Sequence, residues 1–209
     1  NLSTTFTDET GKVWTRTGDA KISTAQYKFG LASGLFDGNG DYISSTIEAD
    51  TIGSSDFTVD YWVRHSSFYN WSTLVSTPRS STGFNVGTDS LRKLVWYVLP
   101  SRILESSGAV FTQDVWHHVA YVRSAGVLKG YVDGVVKASA SDSRNYSQTT
   151  IRIGCLDGNA EFFTGYIDEF RISKGIARWT ADFSASLPSA EYDISYGSII
   201  TPPLLQLTI

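Results

Sequence analysis

Two short segments of the chain carry oxygen-bearing side chains at a spacing that suits a hard cation. Asp37, Asn39 and Asp41 alternate with glycines, and Asp157 and Asn159 flank a further glycine. Calcium is bound by several carboxylate, amide and carbonyl oxygens, so the sequence predicts a calcium site drawn from these five residues. The alternative is that both segments are plain turns, because Asp, Asn and Gly readily adopt turn conformations.

Aromatic and polar side chains concentrate together in the middle of the chain. A small-molecule site typically combines aromatic rings with a few polar groups, and sugars fit this pattern by stacking on a ring while their hydroxyls bond to amides and carboxylates. The candidate glycan-binding residues are Trp62, Tyr69, Asn70, Trp71 and Trp96. Residues 69–71 stand out because they lie in a predicted polar loop. The alternative is packing, since most tryptophans lie in or beside a core.

The carboxylates do not form the pattern of a glycosidase. Such enzymes need two carboxyl groups that face one cleft, and no Glu-x-Asp-x-x-Glu arrangement occurs in the chain. Asp168 and Glu169 are adjacent, and adjacent strand residues point to opposite faces, so we expect that they cannot act as a pair. His117 and His118 diverge for the same reason, so at most one of them can enter a given site. The sequence therefore predicts no catalytic residue.

The elements that must position these side chains are short strands. Residues 57–64 alternate apolar and polar side chains, as a strand with one buried face does. Residues 116–123 and 127–132 predict an antiparallel pair, and Asp133-Gly134 predicts a tight hairpin to a third strand. About a dozen short strands with turn signals between them predict an all-β fold of two antiparallel sheets packed as a sandwich.

A strand followed by a turn is predicted towards the C-terminal end. Alternation after Gly165 predicts a strand that places four residues on one face, namely Tyr166, Asp168, Phe170 and Ile172. Ile176, Trp179 and Phe183 then recur at intervals of three and four residues. That spacing predicts a short helical turn with an apolar face.

Composition and charge restrict the class of protein. The 209 residues are enough for one domain with a proper core. A net charge of -4 gives no basic footprint for nucleic acid, and the apolar runs are too short to span a bilayer. Cys155 is the one cysteine, so no internal disulfide can form. We therefore expect no nucleic-acid partner and no membrane insertion.

Four segments occur in an order that resembles a known family. They are residues 36–43 (FDGNGDYI), 56–63 (DFTVDYWV), 116–120 (WHHVA) leading to 131–134 (YVDG), and 165–183 (GYIDEFRISKGIARWTADF). Over roughly residues 6–188 the chain is similar to laminin-G-like, or concanavalin-A-like, jelly-roll domains of bacteriophage tail and virion surface proteins. The resemblance implies a two-sheet jelly roll with one short helical turn near the C-terminus. It also implies that His118 is a packing residue held by a hydrogen bond.

The predicted organisation is a laminin-G-like sandwich at residues 1–188 and a C-terminal extension at 189–209. Because its end is apolar, the extension is expected to pack on an edge of its own sheet or on a neighbouring subunit.

The resemblance implies a non-enzymatic module on the extracellular surface of a phage virion or tail. The module would attach to a host glycan or surface receptor, form a homo-oligomer and contact other virion proteins. The alternative is a purely structural or decoration module between virion subunits, and a glycosidase is the third class.

Overall fold

The computed structural model describes residues 3–8, 10–48 and 52–192, together with the backbone of residues 204–208. This described part contains sixteen strands and one 3-10 turn, Ser184–Ser186. The strands are β1 (Thr7–Asp8), β2 (Thr15–Thr17), β3 (Lys21–Ser23), β4 (Ser33–Asp37), β5 (Tyr42–Thr46), β6 (Phe57–His65), β7 (Trp71–Ser76), β8 (Asn85–Asp89), β9 (Leu94–Val98), β10 (Ser101–Glu105), β11 (Trp116–Ser124), β12 (Val127–Val132), β13 (Val135–Ser141), β14 (Thr150–Ile153), β15 (Thr164–Lys174) and β16 (Leu204–Thr208). Among the described residues, no helix is long and apolar enough to cross a membrane.

Two antiparallel sheets contain all of these strands. The nine-stranded sheet has the order β1-β16-β15-β6-β11-β12-β13, with β4 also paired to β15 and β3 to β4. The first half of β15 pairs with β4 and its second half with β16. The seven-stranded sheet has the order β10-β9-β8-β7-β14-β5-β2. The predicted all-β sandwich of two antiparallel sheets, with one short helical turn near the C-terminus, is confirmed.

The core between the sheets is apolar and rich in aromatic rings. Along β6, every second residue from Phe57 to Val63 faces the core, as the alternation predicts. The residues between them are buried as well, so the expectation of one buried face is wrong for β6. From the opposite sheet Trp96 stacks on Phe84 with ring centroids 4.4 Å apart. A buried aromatic side chain removes about 150–250 Å² from water, so this ring cluster is a main source of stability.

Two tight turns fix the register of three neighbouring strands. β11 joins β12 through Ala125-Gly126, and β12 joins β13 through Asp133-Gly134. All four turn residues have positive φ, which is the backbone conformation of two-residue hairpins and the reason Asp-Gly is favoured there. The predicted antiparallel pair and hairpin are confirmed.

A β-bulge in β15 changes the face on which its side chains lie. The register against β6 shifts between Asp168 and Arg171, and Glu169 there has a φ of 52°. Because a bulge inserts one extra residue, alternation is interrupted at that point. The core therefore receives Ile167, Phe170 and Ile172. The single face predicted for Tyr166, Asp168, Phe170 and Ile172 is wrong.

After β15 the chain crosses the outer face of the nine-stranded sheet, and we call residues 176–192 the strap. Trp179 and Phe183 stack with centroids 4.1 Å apart, and Phe183 packs on Tyr131 of β12 at 5.3 Å. The Phe183 amide donates to the Gly134 carbonyl (2.8 Å). The strap therefore closes a second, smaller apolar layer over the sheet.

The helical turn predicted between Ile176 and Phe183 is displaced. Residues 176–179 are not helical, and the 3-10 turn begins after Phe183. The physical reason is that strap backbone groups bond to the sheet instead of to one another. The Lys129 ammonium donates to the Thr180 carbonyl (2.7 Å), and the Thr58 hydroxyl donates to the Ile176 carbonyl (2.7 Å). The Asp182 carboxylate adds a side-chain contact, because it accepts the Val136 amide (2.8 Å).

The strand near the C-terminal end joins the nine-stranded sheet, where β16 pairs with both β1 and β15. The strap also contacts this sheet beyond residue 188, because the Tyr192 amide donates to the Glu169 carboxylate (2.7 Å). The division at residue 188 and the docking of residues 189–209 on a neighbouring subunit stay predictions. Residues 193–203 and 209 lie outside the described residues.

Candidate functional site

The outer face of the seven-stranded sheet carries a groove. Asn85 of β8 and Tyr97 of β9 are direct cross-strand partners, and Tyr97 in turn pairs with Arg102 of β10. Side chains alternate along a strand, so Gly87 takes the next position on the face of Asn85. A Cβ at Gly87 would clash with the Ser72 carbonyl of β7, so only glycine lets the β7 backbone come this close to β8.

A bulge in β7 turns Trp71 and Thr73 towards the groove. The register against β8 shifts between Thr73 and Val75, which sends both Leu74 and Val75 into the core. The Trp71 Nε1 donates to Thr73 Oγ1 (2.9 Å). The guanidinium carbon of Arg102 lies 5.1 Å from the Trp71 ring centroid. The half-buried indole is therefore held in a fixed orientation.

Arg102 is itself held by carboxylates. Its Nη1 donates to Asp89 (3.1 Å) and to Glu105 (2.8 Å). Lys93 also donates to Glu105 (2.5 Å). Two cations thus face two carboxylates, and this part of the groove carries no excess charge.

Glu161 places one carboxylate beside Trp71. Its Oε2 accepts a hydrogen bond from Thr73 Oγ1 (3.0 Å), so Thr73 links the indole to the carboxylate. Burial raises the pKa of Glu161, while the Thr73 hydrogen bond and the charge of Arg79 act in the opposite direction. The carboxylate is therefore fixed and partly desolvated, as suits an acceptor for a ligand hydroxyl.

The groove has two adjoining compartments, and three residues, Asn70, Trp71 and Glu161, line both. The sheet compartment has a volume of about 340 Å³ and is also lined by Arg79, Asn85, Tyr97, Arg102 and Leu156. The loop compartment has a volume of about 580 Å³ and is also lined by Phe68, Tyr69 and Ser90.

Three of the five predicted glycan-binding residues meet in this groove, namely Tyr69, Asn70 and Trp71. Trp96 does not, because it is fully buried in the core. Trp62 lies on the outer face of the other sheet, 3% exposed, with the Lys28 ammonium 4.0 Å from its ring centroid. The ring of neither buried tryptophan can take a sugar.

Sequence reasoning missed four polar groove residues, which are Arg79, Asn85, Arg102 and Glu161. They come from separate strands and loops, so no local motif joins them. The sequence did contain one indication of this face. Asn85, Gly87 and Asp89 occupy alternate positions of β8, and two polar residues at this spacing predict a strand face that points away from the core.

A second group of polar residues forms an acidic cluster. In the described residues, carboxylate oxygens of Asp19, Asp37 and Asp41 lie within 4.8 Å of one another and could hold a metal ion. Asp41 is buried and accepts the amides of Asp19 (2.6 Å) and Asp37 (3.0 Å). Burial raises the pKa of Asp41, and both neighbouring carboxylates raise it further. Asp37 and Asp41 were predicted ligands, whereas Asp19 was missed because it lies on another segment.

The other predicted calcium ligands have different partners. The Asn39 amide donates to Asp37 (2.7 Å) in a tight turn. Asp157 pairs with Arg152 (3.1 Å), and the Asn159 side-chain oxygen lies 3.4 Å from the same arginine. Asn159 also has a φ of 59°, which fits the turn alternative for that segment.

The outer face of the nine-stranded sheet holds a buried charged network under the strap. Asp60 accepts two hydrogen bonds from Arg171 (3.1 and 2.7 Å). The Nε2 of His118 lies 3.0 Å from the Tyr192 hydroxyl, as expected for a packing histidine held by a hydrogen bond. Burial alone would raise the pKa of Asp60, but Arg171 and His118 hold it below its usual range.

Asp168 and Glu169 belong to the same covered face, so the prediction that they point to opposite faces is wrong. Asp168 accepts the amides of Lys28 (2.8 Å) and Phe29 (3.2 Å). Burial raises the pKa of Asp168 to about 6 and that of Glu169 to about 7. Both residues are 1% exposed, so a substrate cannot reach them.

Comparison with solved structures finds similar domains of low sequence identity. The chain is similar to domain 4 of AbnA, a GH43 extracellular arabinanase from Geobacillus stearothermophilus in complex with arabinotriose, with 18% identity, 78% of this chain and 82% of that chain covered, and a TM-score of 0.61. It is also similar to botulinum neurotoxin type C, whose cell entry depends on interaction with two ganglioside molecules (15% identity, 78% and 43% covered, TM-score 0.56). A third similar structure is that of mouse laminin α1 chain domains LG4-5 (14% identity, 83% and 45% covered, TM-score 0.51).

At these identities the likeness shows the fold alone. The chain spans less than half of the matched neurotoxin and laminin fragments. Comparison with curated proteins gives no match. A family model described as the concanavalin A-like lectin/glucanases superfamily matches residues 37–178, which is more than half of the chain. The chain therefore belongs to this laminin-G-like family.

Proposed function

We propose that this protein is a non-catalytic glycan-binding module and that its ligand occupies the groove of the seven-stranded sheet. The observation that carries the proposal is the half-buried Trp71 ring, held by Thr73 and Arg102 among amide, guanidinium and carboxylate groups. A rigid aromatic surface with a few fixed polar groups is the usual composition of a small-molecule site. Fixing these groups before binding lowers the entropy cost of association.

Each groove residue has a role in this proposal. Trp71 stacks on the apolar face of a sugar ring. Asn70 and Asn85 offer amide donors and acceptors, and Arg79 offers guanidinium donors. Glu161 accepts hydroxyl hydrogen bonds while Thr73 holds its carboxylate in place.

Two further observations support a binding module over an enzyme. Glu161 is the one carboxylate among the described lining residues of the two compartments, whereas glycoside hydrolysis ordinarily requires two. The arabinanase domain of similar fold was solved in complex with arabinotriose, which supports a glycan as the ligand class.

The test is a glycan array probed with the wild type, Trp71→Ala and Tyr27→Ala. Tyr27 is 44% exposed and lies outside the groove, so its variant is the matched control for loss of an exposed aromatic ring. We expect Trp71→Ala to lose at least about tenfold in affinity for the array ligand, equivalent to about 1.4 kcal/mol, while Tyr27→Ala binds as the wild type does. Absence of any ligand, or equal binding by Trp71→Ala, would overturn the proposal. Release of reducing sugar from a polysaccharide panel would instead favour an enzyme.

We propose the setting predicted from the sequence as well: a homo-oligomeric module on a phage virion or tail surface, with avidity from several copies. Its support is the resemblance of the four sequence segments. The structural alternative, in which the module only joins virion subunits, is tested on the intact protein, because deleting residues 195–209 would remove β16 from its sheet. If the intact protein assembles but ignores host cells, adhesion is overturned.

We propose calcium as the cation of the acidic cluster. The donor set fits, because three carboxylates lie together and the charges of Asp19 and Asp37 raise the pKa of Asp41. A bound cation would neutralise that repulsion. Calorimetric titration of the wild type and Asp37→Asn tests this: we expect heat and a higher Tm with calcium for the wild type only. No heat and no Tm change for the wild type would remove calcium from the proposal.

A further inference from the structure

We propose that the groove binds a neutral oligosaccharide chain, with linked sugar units in both compartments and Trp71 between them, in preference to one terminal sugar. This inference rests on the proposed glycan-binding function and specifies its ligand class. The argument depends on the partition of the groove, on its aromatic rings and on its balance of charge.

The partition of the groove favours more than one sugar unit. The compartments of about 340 and 580 Å³ each lie within the range of about 300–1,000 Å³ that takes a small molecule. Asn70, Trp71 and Glu161 line both compartments. A ligand confined to one compartment would leave part of this shared wall unused, whereas a linked pair of sugars contacts it from both sides.

Each compartment also has an aromatic ring of its own. Tyr97 lines the sheet compartment, and Tyr69 lines the loop compartment with 53% of its surface exposed. Trp71 lies at the junction, so aromatic surface is present in both compartments and between them. Successive sugar units of one oligosaccharide can therefore each stack on a different ring, whereas a single monosaccharide cannot reach all of them.

Exposed lining residues in both compartments indicate a groove open to solvent for chain continuation. Tyr69 of the loop compartment is exposed, and so are Arg79 and Arg102 of the sheet compartment. A blind pocket would select the terminal unit of a glycan. An open groove accepts an internal segment, because the chain can leave at either end.

The charge balance selects a neutral chain. Arg102 is paired with Asp89 and Glu105, and the charge of Arg79 acts on the Glu161 carboxylate. The groove therefore lacks, among its described residues, the surplus positive charge that would compensate a sulfated or carboxylated glycan. A neutral oligosaccharide suits both side chains, because its hydroxyls can donate hydrogen bonds to Glu161 and accept them from Arg79.

The experiment is titration calorimetry with mono-, di- and trisaccharides of five neutral series: arabinose, glucose, xylose, galactose and mannose. We expect affinity in at least one series to rise tenfold or more from mono- to trisaccharide. We expect Tyr69→Ala and Tyr97→Leu each to remove most of that gain, with Tyr27→Ala as the control. Melting curves verify that each variant is folded, and Tyr69 is exposed enough for its variant to fold.

The outcomes separate this inference from the proposed function. Equal affinity for a monosaccharide and its trisaccharide, or a length gain unchanged in both tyrosine variants, would overturn the oligosaccharide inference and leave glycan binding in place. Array binding restricted to charged glycans would overturn the neutral ligand class. No binding in the five series and no hit on the array would overturn both proposals.

Discussion

A segment of the chain covers the outer face of one sheet and leaves the outer face of the other open. The face of the nine-stranded sheet carries Asp60, Arg171 and Glu169, and the strap buries all three. The face of the seven-stranded sheet carries Glu161 and Arg102 in an open groove. Similar residue types therefore stabilise the fold on one face and are available to a ligand on the other.

The contrast shows that a charged residue on a strand face does not by itself indicate a site. Burial determines the energy of each group, because a charge removed from water needs a partner. Under the strap, Arg171 supplies that partner for Asp60 at 2.7 Å. In the groove, Glu161 keeps contact with water, and its partners leave acceptor capacity for a ligand.

The largest effect is expected from breaking the covered network. Asp60→Ala leaves the buried Arg171 guanidinium without its main partner, and loss of one member of a buried pair costs about 3–5 kcal/mol. Denaturant unfolding measures this loss. The matched change on the open face is Glu105→Ala, for which we expect about 1 kcal/mol or less. Equal losses for the two variants would contradict the contrast between the faces.

A loss of about 3 kcal/mol is expected for Phe183→Ala, because it removes a buried ring from the layer between strap and sheet. The groove proposed to bind glycan lies on the other sheet, so glycan binding by the folded fraction should not change. Trp71→Ala should show the opposite pattern, with binding lost and a smaller loss of stability. Thermal melts and array binding on both variants measure the two effects, and a loss of binding in Phe183→Ala would contradict the separation.

The sequence predicts the elements better than it predicts their environment. The core-facing alternation of β6 and the Asp133-Gly134 turn depend on local backbone preferences, and both predictions are confirmed. The alternation of β15 fails because an inserted residue at Glu169 shifts its parity, and a bulge has little local signal. Family resemblance could supply the fold but not these local departures from it.

Exposure was the property that the sequence could not supply. Three tryptophans on predicted strands or loops have three different environments. Trp62 lies on the outer face of the nine-stranded sheet, Trp71 lines the groove and Trp96 is in the core. Asp19 and Glu161 reach their clusters from distant parts of the chain. Such placements depend on tertiary packing, which neither periodicity nor spacing contains.

A pH-dependent difference of about 2–3 kcal/mol is expected between the wild type and Glu169→Gln. The pKa of Glu169 is raised from 4.5 to about 7 in the folded state, so the folded protein holds a proton that the unfolded chain releases. This contribution to stability is complete below about pH 4.5 and is lost as pH rises to 7. Glu169→Gln should lose less stability over that range.

The difference between wild type and variant is the quantity to measure, because other groups titrate in the same range. Burial lowers the pKa of His65 to about 3, so its contribution rises with pH while that of Glu169 falls. Urea unfolding between pH 4 and 8 gives the difference directly. Glu161→Gln on the open face is the control. If its stability difference from the wild type changed with pH as much as that of Glu169→Gln, the role of the strap would be contradicted.

The smallest effect is expected for Arg102→Gln, and its salt dependence is the informative part. Arg102 is exposed on the open face and contacts Trp71, Asp89 and Glu105, so we expect a loss of about 0.5–1 kcal/mol at low salt. The Debye length falls to about 3 Å at 1 M salt, and most of this loss should then disappear. The penalty for Asp60→Ala should persist at the same salt concentration, because ions do not reach a pair beneath the strap. Paired urea titrations at low and high salt measure both, and equal screening of the two penalties would show that the strap does not exclude solvent from the charges it covers.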